Sequence, residues 1–132
     1  MVNWISVKFL IYIAIMHEFP RRPIVFEPPF PQTDPYVDVF MEITSGMGVY
    51  INIGEWVLNL NKSLYGIKKA SANWFDLIKT GIERRVYHQY QVEPCVFYRK
   101  DSVILTCFYC CVIVSQKQDT ITSLIESLND GP

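Results

Sequence analysis

Apolar positions at helical spacing mark two segments. Ala70, Trp74, Leu77, Ile78 and Ile82 recur on one helical face and predict an amphipathic helix over residues 69–85. Ile121, Leu124, Ile125 and Leu128 predict another over 118–129, with Asp119 as its N-cap and Asn129, Asp130 and Gly131 as its stop. A third pattern has no polar face. Trp4 to Met16 is apolar apart from Ser6 and Lys8, so a helix near 4–17, capped by Asn3, is expected to be buried on several sides. Pro20 and Pro23 end it. Shorter runs read as strands: Arg22–Phe26, Tyr36–Glu42, Glu55–Leu60, and then 95–99, 103–108 and 111–115, with a turn at Lys100, Asp101 and Ser102. Ser45–Gly54 contains glycine and lacks periodicity, which predicts a loop. Together these elements predict an α+β fold, an antiparallel sheet packed against helices, in one domain over residues 1–132.

Half of the 132 residues are hydrophobic, enough for a real core and inconsistent with a disordered tail. The unbroken apolar run from Phe9 to Met16 is too short to span a bilayer, and Met16, His17 and Glu18 stand where a signal peptide would need small residues. An intracellular location without membrane contact is therefore expected. The net charge of -1 argues against a strongly basic nucleic-acid surface. Lys62, Lys68, Lys69, Arg84 and Arg85 form the one basic cluster in the middle of the chain, and Arg84 and Arg85 read as a solvated helix face.

Cys95, Cys107, Cys110 and Cys111 do not form a disulfide framework, and in an apolar run thiols behave as small buried hydrophobes. Cys107 and Cys110 nevertheless make a C-x-x-C, the pattern of a redox pair or half a metal site. His17 and His88 are isolated, so no four-ligand zinc set is completed.

The most distinctive stretch is Ser63 to Phe75, S-L-Y-G-I-K-K-A-S-A-N-W-F, a turn in which Gly66 permits positive φ and close backbone approach, followed by the central helix. With Asn61 and Lys62 before it, it closely resembles the N-K-S-L-Y-G-L-K-Q-A-x-x-x-W-[YF] signature of the reverse transcriptase of copia-type LTR retrotransposons. F-P-Q-x-D at Phe30–Asp34, the strand Tyr36–Glu42, Q-V-x-P-C-V-F-Y-R-K at Gln91–Lys100 and C-V-I-V-S at Cys111–Ser115 follow the same family's order, so the resemblance covers nearly the whole chain.

The resemblance implies the palm portion of an RNA-directed DNA polymerase from a Pol polyprotein, beginning after the start of the fingers and ending before the thumb and ribonuclease H regions. It implies vestigial nucleotide contacts at Phe30, under the sugar, and at Tyr65 and Gly66. The family's chemistry uses two Mg²⁺ ions held by aspartates, which clamp the attacking and leaving oxygens. Matching Phe26 and the Phe30–Gln32 block puts the first aspartate position on Val25. Matching L-T-Y-V-D-D-C-V-I-V-S to Leu105–Ser115 puts the other two on Tyr109 and Cys110. Valine binds no cation, a neutral phenol is a poor substitute, and thiolate is soft where Mg²⁺ demands hard oxygen ligands. Glu27 lies two residues from Val25, but Pro28 and Pro29 alter the backbone beside it. The expectation is a degenerate transposable-element remnant, a pseudoenzyme with no cofactor of its own and no small-molecule substrate beyond the ancestral dNTP. The alternatives are a residual module that weakly binds RNA/DNA primer–template or a retroelement protein, and a cysteine-based redox or metal site.

Overall fold

The computed structural model describes residues 3–26, 34–35, 37–47, 54–64, 69–106 and 110–130. Its elements in order are α1 (Trp4–Met16), β1 (Arg21–Val25), β2 (Phe40–Glu42), β3 (Val57–Asn59), α2 (Ala70–Glu83), β4 (His88–Gln89), β5 (Val96–Arg99), β6 (Ser102–Thr106), β7 (Cys110–Ser115) and α3 (Gln118–Asn129). The chain is a mixed α+β protein with three helices and antiparallel strand pairing, divided into two compact units, Met1–Glu27 with Phe75–Pro132 and Pro28–Trp74.

The larger unit holds a five-stranded antiparallel sheet in the order β1-β7-β6-β5-β4. β5, β6 and β7 form where short apolar runs predict strands. Ile104 pairs with Phe97 on one side and Ile113 on the other, so all three share a face of the sheet. All three are fully buried. α3 packs against β7 and β1 and buries Ile121 and Leu124, supplying the second layer that such a face needs. The backbone N–H and side-chain hydroxyl of Thr106 both donate to the Cys95 carbonyl, at 2.8 and 3.0 Å, and tie the end of β6 to the start of β5. β4 is two residues long and carries too little pattern to be read from the sequence.

The smaller unit contains the β2–β3 hairpin, in which Met41 faces Leu58. The longer strands expected at Tyr36–Glu42 and Glu55–Leu60 shrink to three residues each, because a strand extends only as far as its ladder is paired and alternation alone does not set that length. α2 presents the predicted face: Ala70, Trp74, Ile78 and Ile82 are all buried.

Three local expectations change. α1 is present and Asn3 caps it, its side chain accepting from the Ile5 N–H at 2.9 Å. Yet only Ala14 is buried, while Trp4, Ile5, Phe9, Tyr12, Ile15 and Met16 remain exposed. A uniformly apolar helix has no preferred face, and the described fold contacts this one along a single side. Its first turn is held by the Glu93 carboxylate, which accepts from the Asn3 N–H at 3.3 Å and from Ser6 Oγ at 3.1 Å. In α3 the N-cap is Lys117 and makes no side-chain capping bond; Asp119 lies inside the first turn, where its charge still favours the helix dipole. The third change is at Arg85, whose guanidinium is not on a solvated face. It donates to the Gly81 carbonyl at 2.6 Å, to Ser127 Oγ at 2.8 Å and to the Ser127 carbonyl, joining the end of α2 to α3. Arg84 is exposed as expected.

Candidate functional site

β1 leaves α1 through a turn in which the Phe19 N–H donates to the Ala14 carbonyl at 2.8 Å, and it then runs antiparallel to β7. The register sets Val25 directly opposite Cys110. These two residues come from distant parts of the sequence, and each was singled out separately as standing at an aspartate position of the resembled motifs. Their cross-strand pairing puts them on one face of the sheet, at the end of its edge strand. Val25 is 63% exposed. Phe30, Tyr65, Gly66 and Tyr109 lie outside the described residues, as do Glu27, Lys68, Cys107 and Phe108.

The chemistry at the described end of this pair is not that of a hard-cation site. Valine contributes no donor, and Cys110 is engaged in a disulfide, whereas the cysteine pattern predicts no disulfide framework. Cys95 and Cys111 are free and buried. Burial pushes the Cys111 thiol up to about 12 and raises that of Cys95, so neither supplies a thiolate near neutral pH. Among the described residues no group of three or more His, Cys, Asp or Glu side chains is placed to hold a metal ion. The described residues of this pair, Val25 and Cys110, therefore offer no oxygen ligand for a hard cation.

A polar network stands at the opposite end of the sheet, around the β5–β6 turn. The Asp101 carboxylate accepts from Arg99 Nε at 2.9 Å, from Ser102 Oγ at 3.0 Å and from Thr120 Oγ1 at 3.4 Å. Because Ser102 has already given its one hydroxyl proton to Asp101, the 2.5 Å contact between Tyr87 and Ser102 has the tyrosine as donor. Burial raises the Tyr87 phenol above its ordinary value, and the hydrogen bond from Arg99 holds Asp101 below the usual carboxylate range. Arg99 also stacks over the Tyr87 ring, 4.8 Å from its centroid. A neighbouring cavity of about 340 Å³ is lined by Arg85, Arg99, Asp119, Thr120 and Ser123, among others. Arg99 is matched by Asp101 and Arg85 is bound to backbone and hydroxyl oxygens, so this cavity offers hydroxyls rather than a concentrated positive field. Sequence reading did not find this network, since no motif links Tyr87, Arg99, Asp101 and Thr120.

In the smaller unit, the described part of the Ser63–Phe75 stretch has a defined anchor. Ser63 is fully buried, and Asn73 donates to the Asp34 carbonyl at 3.3 Å and to Ser63 Oγ at 3.5 Å. Lys62 bridges to the Asp34 carboxylate at 2.6 Å. Asp34 ends the F-P-Q-x-D segment and Ser63 opens the S-L-Y-G segment, so two separately noted motifs are tied at their described ends. Lys69 is exposed and its carbonyl accepts from the Asn73 N–H at 3.0 Å.

Comparison with known proteins gives a consistent set of relatives. The chain is similar to the retrovirus-related Pol polyprotein from transposon TNT 1-94 of Nicotiana tabacum, 25% identical over 101 residues, which is 76% of this chain and 8% of that protein. It is 28% identical over 96 residues to the Transposon Ty1-DR4 Gag-Pol polyprotein of Saccharomyces cerevisiae, covering 70% of this chain and 6% of that protein. It is 31% identical over 75 residues to the Ty1-NL2 Gag-Pol polyprotein of the same yeast, covering 56% and 4%. These copia- and Ty1-type relatives support a retrotransposon origin, and the chain spans no more than 8% of the length of the ones described here. No family model and no solved structure matches the chain. Among the described residues no helix is long and apolar enough to cross a membrane.

Proposed function

We propose that the chain is a palm segment of a copia-type reverse transcriptase in which the ancestral RNA-directed DNA polymerase chemistry has been lost. The observation that carries this reading is the β1–β7 register, which makes Val25 and Cys110 direct cross-strand partners. Nucleotidyl transfer by two metals requires carboxylates from separate strands to converge on one spot. Two of the positions that motif matching assigns to that role are cross-strand partners here, a valine and a disulfide-bonded cysteine, which supports the reading. A chance alignment of motifs would have no reason to bring those two positions opposite each other. The retrotransposon relatives agree with this origin.

The test is primer extension by the purified chain on an RNA template with Mg²⁺ or Mn²⁺. No extension is expected, and template-dependent incorporation overturns the reading. Val25→Asp with Tyr109→Asp and Cys110→Asp is expected to recover little activity, because three carboxylates do not by themselves supply the phosphate clamping that phosphoryl transfer depends on.

A second reading, residual binding of primer–template, is favoured by the anchoring of Asp34 to Ser63 through Asn73, which joins the two segments where the resemblance implies nucleotide contacts. With a net charge of -1, such binding is expected to be weak and strongly salt-dependent. A mobility shift of labelled primer–template at low salt tests it, and no shift at any salt concentration removes it.

A further inference from the structure

The contacted and exposed sides of α1 divide cleanly. At about 100° per residue, Ser6, Val7, Leu10, Ile13 and Ala14, the positions withdrawn from solvent, fall on one side of the helix. Trp4, Ile5, Phe9, Tyr12, Ile15 and Met16 fall within an arc of about 140° on the other side, and each is between 53% and 75% exposed. Lys8 is the one charge on that arc. Hydrogen bonds from the Asn3 N–H and Ser6 to Glu93 at one end, and from the Phe19 N–H to the Ala14 carbonyl at the other, fix the helix that displays it. With side chains that bury roughly 150–250 Å² each, Trp4, Phe9 and Tyr12 present on the order of 400 Å² of apolar surface at these exposures. Ile5, Ile15 and Met16 bring the arc to about 800 Å², which is the share of one partner in a stable interface and more than monomers usually leave exposed. Aromatic residues and methionine with a single charge are the composition of an interface core. A helix that lies on a membrane instead sets its apolar face against a basic one, and the other side of α1 carries no Lys or Arg.

We propose that this arc is the contact surface between two copies of the chain, which pair through antiparallel α1 helices about a two-fold axis. Such a contact needs a patch that is complementary to itself. With the axis at the level of Leu10, the Trp4–Ile5 end of one helix lies against the Ile15–Met16 end of the other, and Phe9 lies against the partner's Tyr12. Lys8 then stands at the level of the partner's Tyr12, where its stem covers apolar surface while its ammonium stays in water. A parallel pair would bring the two Lys8 ammonium groups together and align the two helix dipoles, both of which oppose association.

The experiment is sedimentation equilibrium of the full chain over a micromolar concentration series, with the double variant Phe9→Glu/Tyr12→Glu and, as control, Val92→Glu at a residue 82% exposed outside α1. The wild type is expected to move from 15.4 kDa to twice that mass as concentration rises. The double variant is expected to keep the wild-type unfolding temperature at low concentration, since both side chains are exposed in one copy, and to raise the dissociation constant at least about tenfold. Val92→Glu is expected to leave it unchanged. Under mild oxidation a mixture of Trp4→Cys and Ile15→Cys chains is expected to cross-link between copies, and Trp4→Cys alone is not. A wild type that stays monomeric throughout the series overturns the proposal, and so does one that stays monomeric in solution and binds phosphatidylcholine–phosphatidylserine vesicles. Equal weakening by Val92→Glu, loss of folding in the double variant, or cross-linking of Trp4→Cys to itself overturns it as well.

Discussion

In the five-stranded sheet Phe97, Ile104 and Ile113 are withdrawn from solvent, whereas in the β2–β3 hairpin Phe40 and Val57 remain 60% and 57% exposed. Both regions are built from apolar stretches of the sequence, so apolar content does not explain the contrast. The sheet has five strands and a helical layer over one face, with α3 packed on β7 and β1. Two strands of three residues make a face too small to exclude water by themselves. Burial in this protein follows from how many elements converge on a residue rather than from how apolar that residue is. α1 teaches the same thing in helical form: it is the most uniformly apolar helix and buries one residue, while α3, mostly polar, buries Ile121 and Leu124.

The sharpest way to break this comparison is a matched pair of truncations. Phe97→Ala is expected to cost about 3–5 kcal/mol and to unfold the larger unit at ordinary temperature, while Phe40→Ala is expected to change stability by less than about 1 kcal/mol. Denaturant titration of the two variants measures both, and equal losses would show that the hairpin is buried in solution. A smaller effect with the opposite sign is expected at Val86, a β-branched residue held at φ 64 after α2, where glycine is normally favoured. Val86→Gly should stabilise the chain by roughly 1 kcal/mol, because relief of a left-handed valine outweighs the added freedom of the unfolded glycine. A fall in the unfolding temperature would contradict that account.

Asp101 gives a pH signature to the sheet end of the comparison. Its folded pKa is lowered, chiefly by the Arg99 hydrogen bond, so it contributes stability above its unfolded value, and that contribution is lost as pH falls through the folded value. Stability of the wild type should therefore decline on acidification below about pH 4, with Asp101→Asn showing a shallower decline. The pair is partly exposed, so the difference is expected to be no more than about 0.5 kcal/mol. Superimposable pH profiles would remove Asp101 from the account. The smallest effect belongs to the hairpin unit: Lys62→Met breaks an ion pair whose side chains are 53% and 77% exposed and should leave stability within about 0.5 kcal/mol of wild type. A larger loss, vanishing in high salt, would show that this pair is better shielded than its exposure indicates.

The candidate site was partly legible in the same uneven way. Motif matching named Val25 and Cys110 from opposite ends of the chain, and β1–β7 pairing set them face to face. It did not anticipate that Cys110 would be in a disulfide, because C-x-x-C is compatible with free thiols, a metal or a bridge, and spacing does not choose among them. Asn73 enters the sequence reading only as one position of the Ser63–Phe75 stretch. Its amide link to Asp34 has no sequence signal, since the two partners are joined only after the chain has folded back.

Sequence by itself determined where the three helices and the strands β5, β6 and β7 would form, because helical periodicity in α2 and α3 and unbroken apolar runs in α1 and the strands are local patterns. Tertiary structure alone decided the rest: which face of α1 would be covered, where the short strands of the hairpin would stop, how Arg85 and Asp101 would be partnered, and that Val25 would stand opposite Cys110. Those outcomes depend on register and on layers contributed by distant segments. A residue's own neighbours in the chain carry the period of its element but not the identity of what will pack against it.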